Sequence, residues 1–479
     1  MNKKIEKLTK QIDDNPTAEL YAERAFEYNK VAEYDLAIAD CDKGLALEPN
    51  HPKCFRRRIY ALAWLKQFDR AFADCDKAIA ENPNYAPAYC GRGSIYCEQK
   101  QYDKAIDEYN KAIELDPDDA IYYGLRGEVY SAVLRYEEAF ADLNKAIQID
   151  PEDSDNYATR GRLHILFGRH EDAKEDITKA LGLDPECALA YCGYGDYIMA
   201  SDPSRYEESV ANYNKAISLN DKFTPAYIAR GAIYMSLGFF PQALADFNKV
   251  IDLADDLAEG YLNRGAVYLG IGHFDESIAD SDKAIELDPN IALAYNNRGL
   301  ANNALRNFDA SLEDCDKAIE LDPELAQAYF NRGNTFLNTG RHEEALQDYN
   351  KAIDIGHEQG LVYCYRGVVH HALANLEEAF ADLNQAIQLD STIALAYCER
   401  GSINANTGKT DEALADFNKA IELAPEFALA YFNRGNIYGS QDRFEEGVAD
   451  LRKALEVHEK TPSLPPEIIE MIEGILSNF

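Results

Sequence analysis

One segment returns along almost the whole chain every 34 residues, and that period limits the fold more than any other feature. Its form is YxxRGxxY…GxxxxAxxDxxKAIxLDP. Thirteen copies begin at Ala18, Pro52, Ala86, Ala120, Ser154, Ala188, Thr224, Ala258, Ala292, Ala326, Gly360, Ala394 and Ala428. The sixth is two residues longer, with Ser201, Asp202, Pro203 and Ser204 near the extra length, which predicts a longer turn there. The array runs over 18–461 and leaves 1–17 and 462–479 as flanks. A length of 479 residues would otherwise suggest two to four domains with separate cores. A strict repeat replaces that expectation with units that bury surface only against their neighbours.

Each copy reads as two helices. An aromatic side chain holds the fourth position of the first helix throughout, from Tyr21 and Phe55 through Tyr89 to Tyr431. Glycine follows four residues later in copies three to thirteen (Gly93, Gly127, Gly161 and onward to Gly435), on the same helical face. Lacking a side chain, it admits the second helix at close range, at a propensity cost of about 1 kcal/mol relative to alanine. The second helix carries Ala105, Tyr109 and Ala112 on one stripe, and proline at position 32, as in Pro117 and Pro151, is expected to stop it. Two helices of this length cannot bury their apolar stripe alone, so the copies must stack.

These slots resemble the tetratricopeptide repeat. Tyr89, Gly93, Tyr96, Ala105, Tyr109, Ala112 and Pro117 fall on that family's signature positions, with tyrosine for its usual tryptophan at the first. The resemblance implies an all-α fold, an α-solenoid in which stacked helix–turn–helix repeats wind as a right-handed superhelix. The first helices would line a concave groove that binds peptides or protein surfaces. Some copies depart from the pattern. Ala25 and Ile59 replace the glycine, which predicts different packing there. Copies six, seven, ten, eleven and thirteen lack the closing proline. Asn302, Asn404, His164 and His370 stand at position 11 and need polar partners. Capping helices are expected at both ends: Ile5, Leu8 and Ile12 in 1–17, and Ile468, Ile472, Ile475 and Phe479 in 462–479.

Position 7, usually leucine in the family, is arginine in twelve copies, and position 23 is acidic in twelve. The exception is shared: copy six has Tyr194 and Asn212. Loss of both together predicts an ion pair within each repeat, helix to helix. Arginine suits that place, because its planar fork grips a carboxylate at two points and does not deprotonate.

In the family, positions 2, 5, 6, 9, 12 and 13 of the first helix face the groove. Asn263, Asn297, Asn331 and Asn433 occupy position 6, and Asn296, Asn334, Asn436, Asn303, Asn338 and Asn406 add to the same face. Asparagine offers two donors and an acceptor, so a column at one-repeat spacing can pair with a peptide backbone regardless of its side chains. The array of O-linked N-acetylglucosamine transferase carries a similar asparagine ladder. Tyr365 and Glu399 interrupt this one. Small residues at position 5 (Cys90, Gly124, Ala158, Cys192, Cys364, Cys398) are expected to let a ligand approach closely. A second candidate patch is Lys53, Arg56 and Arg57, with Trp64 nearby. Lys53 and Arg57 resemble two members of the carboxylate clamp by which co-chaperones hold chaperone tails. Glu23 stands where that clamp wants asparagine, so an internal salt bridge is the favoured reading.

Composition narrows the function. The chain carries 84 Asp+Glu against 48 Lys+Arg, a net charge of −36. That disfavours nucleic acid, whose binding depends on cations neutralising phosphates, and with it a helical-repeat RNA reader. No apolar run approaches the ~20 residues that span a bilayer. The basic start lacks a secretory signal's apolar stretch. Ten cysteines without a CxxC pair suit a reducing cytoplasm. Cys41, Cys75 and Cys315, at position 24, read as small core fillers. His370-His371 is the only histidine pair, and no metal site is expected from it. P-loop, GxSxG and strand-borne GxGxxG motifs are missing, so no cofactor and no catalysis are expected. Only 18 residues follow the last repeat, too few for a transferase domain, although a non-catalytic subunit of a glycosyltransferase-type complex stays open. The expectation is a monomeric, non-catalytic scaffold or adaptor for a protein or peptide.

Overall fold

The computed structural model describes residues 3–357, 359–461 and 463–477. Among these are α-helices and one short 3-10 turn, with no strand. The chain divides into two compact units, Met1–Asp255 and Asp256–Phe479. Each is a run of stacked helix pairs, as in an α-solenoid. A copy consists of a 13-residue first helix, such as Ala86–Glu98, and a 14-residue second helix, such as Tyr102–Leu115.

Backbone chemistry sets both turns. The residue at position 15 adopts a left-handed conformation, as at Lys66 (φ 56°), Leu134 (φ 62°) and Gly272 (φ 77°). There the Gln67 N–H returns to the Leu62 carbonyl at 2.9 Å, closing the first helix as a left-handed residue allows. In copy six the first helix runs on over Ala188–Ser201, and the extra residues form the 3-10 turn Pro203–Arg205. The Asp202 side chain accepts the Ser204 N–H at the start of that turn.

The expectation that proline ends the second helix needs correcting. Copies six and eleven lack it, yet Tyr206–Leu219 and Leu376–Leu389 stop at the usual place. An Asx turn at position 31 follows the helix in both, although Phe240–Leu253 of copy seven stops at the same place with Ala254 there. Asn220 and Asp390 accept the N–H two residues on, and Asp150 and Asp184 do the same. Copy thirteen has His458 there, and its second helix continues over Phe444–Lys460.

Glycine at position 8 is a size match to position 24 of the second helix. A Cβ on Gly93 would lie 2.9 Å from the Tyr109 ring, and one on Gly333 2.7 Å from Tyr349. Where position 8 is larger, position 24 shrinks: Ala25 and Ile59 belong to one buried cluster with Cys41 and Cys75. The cysteines are unpaired core residues, and burial pushes the Cys315 thiol up to about 12.

The expected ion pairs form in all twelve copies. Arg126 grips Asp142 through Nε and Nη2, both at 2.7 Å, and Arg434 grips Asp450 likewise. Ten of the twelve carboxylates are buried, Asp280 being 5% exposed, while Asp74 and Glu108 are half-buried. The polar residues at position 11 turn to the same acid. Asn302 and Asn404 donate to Asp314 and Asp416 at 3.1 Å, and the His164 and His370 rings lie 3.7 and 3.9 Å from Asp176 and Asp382.

Each arginine also does something the sequence reading missed. Its free Nη1 reaches the acceptor at position 25 of the preceding copy: Arg92 to Asp76, Arg126 to Asn110, Arg160 to Asn144, Arg298 to Asp282, Arg332 to Asp316 and Arg434 to Asn418, at 2.5 to 3.0 Å. One guanidinium therefore joins three helices. Arg24, with no preceding copy, donates to Thr9 on the helix Lys3–Asp14 instead.

Within each unit, first helices of neighbouring copies touch one another while second helices do not, so the first helices form the inner layer of a curved stack. The first unit curls far enough to meet itself. Lys30 pairs with Asp184 at 2.5 Å, Lys222 donates to the Ala32 carbonyl at 3.0 Å, and Lys66 lies 3.6 Å from Asp255. Turns of copies one and two thus touch loops closing copies five to seven. At the flanks, Lys3–Asp14 lies on the first repeat helix and buries Ile5, Leu8 and Ile12. Pro466–Leu476 lies on Phe444–Lys460 and buries Ile472, with Ile468 and Ile475 partly covered. Phe479 is outside the described residues.

Two stability outcomes follow from this packing. Asp280→Ala leaves the half-buried Arg264 without its carboxylate and is expected to cost about 3 kcal/mol in a thermal or denaturant melt. An unchanged midpoint would contradict burial of the pair. Gly93→Ala forces a Cβ onto the Tyr109 ring and should destabilise by about 1–3 kcal/mol. At Gly265 the nearest atoms are Cβ of Asp280 at 3.3 Å and the Ser277 carbonyl oxygen at 3.5 Å, with the small Ser281 in place of a ring. There the same change should be close to neutral, since alanine's helix propensity offsets the tighter contact.

Candidate functional site

The inner layer is the surface that helix stacking leaves free, and its side chains come from the first helices. In the second unit it carries the asparagine column. Asn263 and Asn297 are half-buried and hydrogen-bond to nothing among the described residues. Asn331 is 6% exposed and gives one N–H to Asn296 at 2.8 Å, which leaves its carbonyl oxygen unclaimed. Asn334 accepts the Tyr349 hydroxyl at 2.8 Å, keeping both amide N–H groups. Asn433 donates to Ser402 at 3.2 Å, and Asn436 is exposed. Further asparagines tie neighbouring first helices together: Asn303 donates to Thr335 and accepts from Asn338, both at 2.8 Å.

Two residues interrupt the column in different ways. Tyr365 stacks with Tyr349 (centroids 6.5 Å) and leans on Phe330 (5.8 Å). Glu399 binds His371 Nδ1 at 2.9 Å, and this hydrogen bond holds the imidazole pKa above its ordinary value, against the effect of burial.

Position 5 does not face the groove, contrary to the expectation from the family. Cys90, Ala158, Cys192, Cys364 and Cys398 are buried, and a Cβ on Gly124 would sit 2.5 Å from the Asn156 carbonyl oxygen. The small side chains there let neighbouring first helices approach one another, so they bring no ligand closer.

The Lys53, Arg56 and Arg57 patch is internally matched. Lys53 pairs with Glu19, Arg56 with Asp119 at 2.6 Å, and Arg57 donates to the Ala22 carbonyl while its guanidinium lies 4.6 Å over the Phe26 ring. Glu19, one repeat before Lys53, takes the role that Glu23 suggested.

Beyond that patch the inner wall of the first unit turns acidic. Glu128 stands at position 9 of copy four. Solvent still reaches it, but the wall crowds it. Loss of bulk water, then the charges of Asp155 and Asp153, push its carboxyl up to about 7, with Arg162 opposing. Arg162 is itself paired with Asp196 at 3.3 Å. Next to this acidic wall lies a group of rings: Trp64 stacks on Tyr34 (5.9 Å, 10°), and Tyr60 contacts both. Nothing in the repeat signature pointed to this cluster. Its signal in the sequence was the lone tryptophan at position 13 of copy two, with Glu98 at the same register one copy on.

Among the described residues no group of three or more His, Cys, Asp or Glu is placed to hold a metal ion. Among them too, no helix is long and apolar enough to cross a membrane.

Family models described as "Tetratricopeptide repeat" match residues 75–107, 120–153, 154–187, 258–291, 284–358 and 428–461, and one described as "TPR repeat" matches 93–133 and 405–442. No curated protein is similar in sequence to the chain. Among solved structures it resembles the APC/C hetero-tetramer Cut9–Hcn1, with 15% identity, a TM-score of 0.55 and 96% of each chain covered. YrrB, described as a TPR protein with an unusual peptide-binding site, is 30% identical over 38% of this chain and 93% of its own, with a TM-score of 0.31. Yeast Tom70 is 19% identical, with 81% and 95% covered and a TM-score of 0.37.

The raised Glu128 pKa has a measurable sign. The folded carboxyl titrates near 7 and a free one near 4.5. The folded chain therefore holds the extra proton between those values, and this contribution to stability, present at acid pH, is lost as pH rises toward 7. Thermal midpoints recorded from about pH 5 to about pH 8 should fall more in the wild type than in Glu128→Gln. Parallel curves would mean that Glu128 titrates as an ordinary surface carboxylate.

Proposed function

Because this chain belongs to the tetratricopeptide-repeat family, we propose that it is a non-catalytic scaffold holding an extended peptide or protein segment against the first helices of copies eight to ten. The observation that carries this reading is the pair of unengaged amides, Asn263 and Asn297, at one-repeat spacing, followed by Asn331 with its carbonyl oxygen unclaimed. A half-buried amide with nothing to bond is poorly placed unless a ligand or water completes it. Side-chain amides in a row match the alternating N–H and C=O groups of an extended backbone and read no side chain. Asn334 and Asn436 extend the same face, and Asn433 resumes it after Glu399. The chain's net charge of −36 opposes binding of a phosphate backbone. Ten unpaired cysteines suit a reducing cytoplasm as the place of action.

Affinity capture with the full chain tests this. Replacing Asn263, Asn297 and Asn331 together by alanine should abolish retention of the partner that the wild type retains, while the helical CD spectrum stays intact. The packing penalty is one Asn331–Asn296 hydrogen bond, about 1 kcal/mol. Undiminished capture by the triple variant would refute the ladder.

A further inference from the structure

We propose that Glu399, with His371 beside it, is the point at which the asparagine column reads a side chain, and that the residue read there is a lysine or arginine of the bound segment. This rests on the column being the binding face, and it adds a charge preference, two repeats beyond Asn331, to a face that otherwise reads backbone.

Glu399 is out of keeping with the column. Positions 6, 9, 12 and 13 of copies eight to thirteen hold asparagines, aliphatic residues, glycines, serines and one tyrosine. Among them Glu399 is the one carboxylate and His371 the one imidazole, with no lysine or arginine to offset the charge. The two side chains meet across neighbouring first helices, Gly360–Ala372 and Ala394–Asn406, with Nδ1 of His371 2.9 Å from a Glu399 oxygen. Neither is sealed off, the side chains being 22% and 17% exposed. The second Glu399 oxygen is unengaged among the described residues.

A hydrogen bond to a carboxylate fixes the tautomer of the ring. Nδ1 carries the proton, and Nε2 of the neutral imidazole keeps its lone pair. Two acceptors and one net negative charge are thus left facing the inner layer. A ligand ammonium or guanidinium supplies the donors and the charge that match them. Tyr365 stands in the column one repeat earlier, held by Tyr349 and Phe330, and offers apolar surface to the aliphatic stem of such a side chain.

The ions around the pair are already committed. Of the helices packed against Gly360–Ala372, Leu376–Leu389 brings Asp382, which Arg366 grips and His370 approaches at 3.9 Å. Ala326–Asn338 and His342–Asp354 bring Arg332 and Asp348, which hold each other, and Arg400 beside Glu399 is bound to Asp416. Glu399 is the charge that acts on the imidazole, and its hydrogen bond holds the imidazole pKa up against burial. Below that pKa an imidazolium neutralises Glu399 and turns an N–H toward the site; above it the carboxylate keeps its full charge. A cation is therefore bound better as pH rises through the titration of His371.

Panning a random dodecapeptide display library against the full chain at about pH 9, where the imidazole is neutral, tests this. Clones retained by the wild type should carry lysine or arginine at a recurrent place. Those retained by Glu399→Gln should not, with the CD melts of the two proteins alike. For one selected peptide, labelled and capped at its N-terminus, exchanging that basic residue for norleucine should weaken binding about tenfold by anisotropy, the size of one charge-assisted hydrogen bond. The loss should vanish in Glu399→Gln and shrink in the wild type at about pH 5.5, whereas in His371→Gln it should persist at both pH values. General attraction of cations to a chain of net charge −36 would act equally in Glu399→Gln. A basic preference surviving in that variant would therefore overturn the proposal, as would one of equal size at both pH values in the wild type. Clones without a basic preference that the triple asparagine variant fails to retain would also overturn it and leave the ladder standing. Clones retained alike by the wild type and the triple variant would remove the ladder and this site together.

Discussion

A charged group buried between helices has to be paired, and in this chain that requirement falls on one arginine in twelve of the thirteen repeats. Its fork holds a carboxylate on its own second helix, and its remaining N–H reaches the second helix of the copy before. Stacked repeats contact only their neighbours, so the stability of the array is a sum of repeat and junction terms. An apolar junction alone tolerates small slips, whereas a three-way hydrogen-bonded ion does not, because any slip strands a buried charge. The guanidinium thus fixes where each copy sits on the last, and through that the curvature of the inner layer.

Once that spine and the glycine-to-ring contacts occupy the interior, the inner faces of the first helices are what remains for recognition. Their chemistry differs between the two units. The second unit offers uncharged amides that suit a backbone. The first carries the Trp64, Tyr60 and Tyr34 rings beside carboxylates, on a wall whose coil is closed by Lys30–Asp184 and by the lysine contacts to Ala32 and Asp255.

Much of this was legible in the residues. The helix pairs, the glycine contact and the twelve intra-repeat ion pairs follow from period, size and shared exceptions. The link to the preceding copy was legible too but went unread. Position 25 is Asp or Asn ahead of each arginine, and it is Thr178 just before copy six, whose Tyr194 needs no acceptor. Proline misled because it is the conspicuous residue near the helix end, while Tyr206–Leu219, Phe240–Leu253 and Leu376–Leu389 stop at the same place without it. Position 5 misled because a small residue is compatible with a near ligand and with a near helix, and only coordinates tell them apart. Contacts such as Lys30 with Asp184 have no periodic signature, since they depend on how far curvature accumulates over five copies.

The arginine's reach into the preceding copy is the claim on which the rest stands, and native-state hydrogen exchange of Arg298→Gln addresses it. Arg298 bonds Asp314 on Phe308–Leu321 and Asp282 on Phe274–Leu287. Amide exchange is expected to accelerate in both helices together. Acceleration confined to Phe308–Leu321, with Phe274–Leu287 unchanged, would contradict the account and reduce the pair to an internal brace of a single repeat.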